Sequence, residues 1–213
     1  MFEWLFGNRS ANVGTPASES SDVDSLLKHA TAQKRCGDLV GAIRTLQLAY
    51  RKIASGPITY SVDTFLRLPL YLQEAGRNDE AWSEFNRLIV EGHPNQLIDS
   101  GVQAMENSKV YDKMRLFLQR EGNYVEAIVF GALSMLAVTR GLYLQKRQGE
   151  LAKFVSRKRI EAKLEPLLKK DGRGSLSGAL VKIMLEEVGD PSQLDLNRAA
   201  KRMRELLVNA ASN

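Results

Sequence analysis

Apolar residues along this chain recur at three- and four-residue intervals, and short polar turns containing glycine separate the runs. That spacing is the signature of amphipathic helices. The first helix, capped by Ser21 or Asp22, carries Leu26, Leu27 and Ala30 to a turn at Cys36-Gly37-Asp38. The second, over 39–54, places Ala42, Ile43, Leu46 and Ala49 on one face, and Gly56-Pro57 breaks it. A third, over 62–75, holds Phe65, Leu66, Leu68 and Leu72 but contains Pro69. An interior proline costs about 3 kcal/mol in a straight helix, so this one is kinked there or starts late. The fourth, over 79–90, is striped by Ala81, Trp82, Phe85, Leu88 and Ile89, and Gly92-His93-Pro94 stops it. Residues 96–106 read as a fifth helix. Residues 110–121 read as a sixth, with Tyr111, Met114, Phe117 and Leu118 inward. A seventh opens at Asn123 or Tyr124 and runs to about 144. Residues 146–170 are helical in propensity, and Asp171-Gly172-Arg173-Gly174-Ser175 breaks them. Two striped helices end the chain, the last on Leu196, Ala199, Ala200, Met203 and Leu207.

Composition sharpens this to an all-α protein. Aromatics are 7% and β-branched alternation is hard to find, which disfavours sheets. At 213 residues and 44% apolar, the chain can bury one large domain or a domain with an appendage. The longest apolar run, 127–138, falls short of the roughly 20 residues that span a bilayer, so it predicts a helix buried in the middle of the protein.

Three turns repeat one another. Gly37 is followed five residues on by Ala42, Gly76 by Ala81, and Gly122 by Ala127. A glycine that closes a helix can take the left-handed conformation, and an alanine one turn into the next helix lets two antiparallel helices approach closely. A single such hairpin cannot bury its apolar face, so copies must stack. The pattern resembles the tetratricopeptide repeats, a 34-residue helix–turn–helix with small residues at its eighth and twentieth positions and a bulky one at its twenty-fourth. The first copy reads Leu26, Ala30, Ala42, Leu46 and Ala49. The second reads Phe65, Pro69, Ala81, Phe85 and Leu88. The third reads Tyr111, Arg115, Ala127, Gly131 and Ser134. Arg115 and Gly131 depart from the family pattern, and the spacings of 39 and 46 residues exceed its period.

The resemblance implies a tetratricopeptide-like α-hairpin solenoid of two to three repeats over 22–145, with a C-terminal helical extension, 146–213, as its cap. It implies a groove lined by the first helix of each repeat, which binds a peptide or amphipathic helix of a partner protein. The groove positions are Leu27, Thr31 and Lys34, then Leu66, Leu70 and Gln73, then Leu116, Gln119 and Arg120. That surface is expected to be mainly aliphatic with polar edges. Arg67, Lys109 and Lys113 fall near positions at which some family members hold an acidic ligand.

Charge adds a second candidate. From residue 140 onward there are 16 Lys/Arg against 9 Asp/Glu, a net of +7, while the first 139 residues carry a net of −2. Lys153, Arg157, Lys158, Arg159 and Lys163 are candidate nucleic-acid contacts, and the alternative is a solvated face offset by Glu150, Glu161 and Glu165. Phe154 is the only aromatic there and is expected to be buried, which argues against sequence-specific reading of RNA bases. Residues 1–21 read as a flexible segment with an apolar tip, Met1–Phe6. The tip is a loosely packed tail, a docking peptide, a lid on the groove or a weak membrane-surface contact.

Chemistry is not signalled. His29, His93 and Cys36 make no metal set, and His29 with Cys36 lie about 10 Å apart along one helix, too far to pair. His29 is expected to be a partly buried structural residue. The sequence therefore predicts a non-enzymatic adaptor, scaffold or chaperone-like module with no cofactor. The alternatives are a nucleic-acid-associated protein and a structural subunit of a membrane-associated assembly. A single cysteine is consistent with a reducing cytoplasm. Oligomeric state is not written in the pattern.

Overall fold

A computed structural model describes residues 17–97 and 99–209, and these hold helices and no strand. The expectations for residues 1–16, the apolar tip among them, lie outside the described residues. Two hairpins open the chain. The first is α1 (Ala17–Arg35) with α2 (Leu39–Ser55). The second is the short α3 (Val62–Phe65) and α4 (Arg67–Glu74) with α5 (Asn78–Val90). The third and longest pairs α6 (Ser100–Arg120) with α7 (Tyr124–Leu144). The one-turn α8 (Leu151–Phe154), α9 (Arg157–Lys170), α10 (Ser177–Gly189) and α11 (Leu196–Asn209) complete the order. Each of these last four packs on α7, and α9–α10 and α10–α11 pack on each other.

The turns between hairpin partners close as the sequence requires. Gly37, Gly76 and Gly122 have φ of +84°, +73° and +75°. Across each, the amide of the next residue reaches back to a carbonyl of the helix's last turn: Asp38 N to Gln33 O, Arg77 N to Leu72 O and Asn123 N to Leu118 O, each 2.9 Å. Asp38 and Asn123 then cap the following helix through their side chains, onto Gly41 N at 2.8 Å and Glu126 N at 3.2 Å.

Four element boundaries differ from the sequence reading. The first helix begins at Ala17, ahead of the Ser21 or Asp22 cap, because 17–21 contain neither Gly nor Pro and propagation needs no new nucleus. The break in the third helix falls at Leu66, and Pro69 sits in the first turn of α4, where a missing N–H breaks no intrahelical bond. The fifth and sixth helices are one, α6. Asn107-Ser108-Lys109 is a weak helix segment without a breaker, and Ser108 Oγ donates to Met105 O at 2.6 Å within the helix. Asp99 caps it on Val102 N at 2.7 Å. Finally, 146–170 is interrupted. Lys146 takes φ of +56°, a 3₁₀ turn and α8 follow, and Val155 is extended before α9.

Aromatic seams and one asparagine join the hairpins. Trp82 of α5 lies 5.6 Å from Phe117 of α6 and 5.7 Å from Phe130 of α7. Tyr50 of α2 packs on Phe65 of α3, and its hydroxyl donates to Thr64 O at 2.6 Å. Burial pushes that phenol's pKa far above the usual tyrosine range. The Asn95 side-chain amide reaches the carbonyls of Ile53, Gly56 and Ile58, tying the loop before α6 to the end of α2. His93, read from sequence only as a loop residue, is buried. Its ring stacks on Phe65 at 5.0 Å, and Nε2 lies 3.1 Å from the Glu106 carboxylate. His29 is exposed on α1, against the expectation of partial burial, because Leu27 and Ala30 take the inward positions.

Helix α7 is the axis of the fold. By length and composition it could cross a membrane; here α6 and the C-terminal helices surround it, and 127–137 is buried except for Phe130. This is the buried central helix that the apolar run predicts.

Candidate functional site

The first helices of the three hairpins, α1, α4 and α6, are linked side by side by polar contacts. Lys34 of α1 pairs with Glu74 of α4 at 2.7 Å and lies over the Tyr71 ring. Gln73 of α4 donates to Phe117 O and to Glu121, each at 3.1 Å, and accepts from Arg120 of α6 at 3.0 Å. Arg67 reaches Leu27 O at 3.5 Å, and the Thr31 hydroxyl donates to the same carbonyl. Two hollows of about 400 Å³ each lie on these helices. One is lined by α1 and Arg67, the other by Gln73, Glu74, Arg120 and Glu121. Surface ion pairs here contribute at most about 1 kcal/mol each, so they orient the helices more than they stabilise them.

This arrangement corrects the expected aliphatic groove. Leu66 is 1% exposed and belongs to the core, so it cannot line a ligand surface, while Leu27, 6% exposed, packs in the core and shows only an edge to the first hollow. Leu70 and Leu116 are half-buried, as is Gln119, which accepts from Arg115 at 3.2 Å. The sequence pattern marks which residues are apolar, but the angular position of each helix decides which of them face inward. With Leu66 in the core, the side chains on this face are mostly polar: Lys28, Thr31, Lys34, Arg35, Arg67, Gln73 and Arg120, with Asp24, Glu74 and Glu121, and Leu27 and Ala32 add an apolar edge at the first hollow.

The basic residues divide into two groups. Lys153, Arg157 and Lys158 are exposed and outside the interhelical contacts, with Arg157 paired to Glu161 of its own helix at 3.4 Å. Lys163 instead pairs with Asp112 of α6, and Arg159, also exposed, lines a cleft with it. Lys109 and Lys113, residues that the family resemblance had marked for acidic ligands, line that cleft from α6. All four cations line one cleft of about 580 Å³, with Asp63 and Asp112. Lys109 is held by Asp63 at 2.6 Å. Asp112 is held by Lys163 at 2.8 Å and by Arg115 at 2.9 Å. Burial pushes the Asp112 carboxyl up, and the hydrogen bonds from Arg115 and Lys163 more than offset it, so it lies below the usual aspartate range. Sequence reasoning found the cations of this cleft but not their union, because Lys113 and Arg159 are far apart in the chain. The two carboxylates went unnoticed, since nothing local distinguishes them.

Among the described residues no group of three His, Cys, Asp or Glu is arranged to hold a metal ion, and Cys36 is exposed at the α1–α2 turn. No family model matches this chain, and neither the curated proteins nor the solved structures contain a match.

Proposed function

We propose that this protein is a non-enzymatic interaction module. In this reading its three stacked hairpins form a tetratricopeptide-like scaffold that binds a polar, acidic segment of a partner protein along α1, α4 and α6. The observation that carries the reading is the shared exposed face of those three helices, with Lys28, Lys34, Arg35, Arg67 and Arg120 against Asp24, Glu74 and Glu121. The C-terminal helices pack on α7 and on one another and leave this face open. Of the occupants the sequence leaves open, an extended acidic peptide suits this face better than an apolar helix. The nucleic-acid alternative is weakened because Lys163 is engaged by Asp112 of α6 and Arg157 by Glu161, which takes two cations out of the basic run.

Charge reversal tests this. Anisotropy of labelled acidic and neutral peptides should show selective binding of the acidic ones. Arg35→Glu combined with Arg120→Glu should weaken it by about tenfold or more, a loss of about 1.4 kcal/mol. Leu48→Ser, on the exposed side of α2, should leave it unchanged. Equal binding of neutral peptides, or indifference to the charge reversal, would sink the reading.

A further inference from the structure

The cleft between α6 and α9 is distinct from the α1–α4–α6 face, and its charge is out of balance. Lys109 and Lys163 are each held by a carboxylate, Asp63 and Asp112. Among the described residues Lys113 and Arg159 have no ion-pair partner, although both line the cleft. The cleft therefore keeps two positive charges that the described residues do not neutralise. They line the same cleft from different elements, α6 and α9, one an ammonium and one a planar guanidinium. That pair suits a tetrahedral oxyanion, because Arg donates in a fixed fork while Lys supplies a compact charge. A phosphomonoester carries a charge of about −1.5 to −2 near neutral pH, which matches the excess.

The rest of the lining is mixed, with Ser108 and Ser134 beside the apolar Met135, Val138, Phe154 and Ala162. Met135 and Val138 belong to α7, and the Phe154 ring stands at the edge of the cleft, 39% exposed where the sequence predicts burial. Exposing so much of an aromatic ring to water costs free energy that an apolar ligand body would recover. The volume, about 580 Å³, falls in the range of small-molecule sites.

We infer that the α6–α9 cleft is a binding site for a phosphomonoester with an aromatic or apolar body, its phosphate held between Lys113 and Arg159 and its body against Phe154, Met135 and Val138. Calorimetric titration of the full chain with phenyl phosphate, inorganic phosphate and benzoate tests it. Phenyl phosphate should bind at least about tenfold more tightly than either of the others. Lys113→Gln with Arg159→Gln should remove that binding, and an unchanged melting curve should show that the fold survives, since neither residue makes an ion pair. Phe154→Ala should erase the preference for the ester over inorganic phosphate. Lys158→Gln, on the exposed side of α9, should change nothing. Equal affinity for benzoate, retention of binding in the double variant, or no binding of phenyl phosphate at millimolar concentration would each overturn the site. So would uptake of an acidic peptide that depends on Lys113 and Arg159 without uptake of phenyl phosphate.

Discussion

Arg115 and Gly131 each break the repeat pattern, and in the fold they answer one another. A Cβ on Gly131 would stand 3.0 Å from Arg115 Cδ and 2.9 Å from Leu164 Cδ2. The long side chain lies over the missing one, so two local misfits make one good contact between α6 and α7. Gly141 is stricter. Its added Cβ would meet Met105 Cγ at 2.5 Å and the Gly101 carbonyl at 2.9 Å. Backbone cannot retreat as a flexible side chain can, so Gly141→Ala should destabilise the protein by about 1–3 kcal/mol. Gly178, inside α10, would meet nothing within 4 Å, and Gly178→Ala should stabilise by about 0.5–1 kcal/mol through lower chain entropy in the unfolded state. Urea unfolding of the two variants beside the parent checks both signs. Neither glycine could be classified from sequence, because what a Cβ would strike belongs to another turn or another helix.

At the level of elements, five helix ends close in one way. Gly37, Gly76, Gly122 and Gly172 take a left-handed conformation, and Lys146 takes it at the end of α7 with φ of +56°. Lys146 N reaches Tyr143 O at 2.9 Å and Arg147 N reaches Leu142 O at 2.7 Å, the same closure as at the glycine turns. The sequence reading places four of these ends by their glycine, Gly172 as a plain break, and misses Lys146 because the residue gives no signal. A side chain in the left-handed region costs about 1–2 kcal/mol. Lys146→Gly should therefore raise stability by about 0.5–1 kcal/mol, after allowance for glycine's greater freedom in the unfolded chain. A higher melting midpoint supports this, and a lower one shows that the lysine side chain contributes more than its backbone costs. The misplaced boundaries at Leu66 and within α6 have a related origin: weak helix formers end a helix only when a neighbouring element rewards the break.

On the scale of the molecule, the C-terminal helices are attached to the hairpins through α7 and through charged contacts. Arg204 of α11 forks onto Glu126 of α7 at 2.7 and 2.8 Å, Arg140 donates to Leu194 O at 2.7 Å, and Lys163 of α9 meets Asp112 of α6. Asp112 makes this attachment pH-dependent. Its folded pKa lies below the ordinary value of 3.8, so its contribution is present above about that pH and is lost as pH falls through the folded value. Asp112→Asn should cost about 1 kcal/mol near neutral pH. The melting curves of parent and variant should converge on acidification below pH 3.8. A constant gap down to low pH would show that the carboxylate's charge contributes nothing. The sequence by itself determined the helical class, the three glycine turns and the buried central helix, because helical periodicity, left-handed backbone and a long apolar run are properties of consecutive residues. Tertiary structure alone decided that Leu27 and Leu66 pack in the core, that Arg115 complements Gly131, and that Lys113 and Arg159 line one cleft. Those outcomes depend on the rotation and approach of whole helices, which are set by the summed packing of residues distant in the chain.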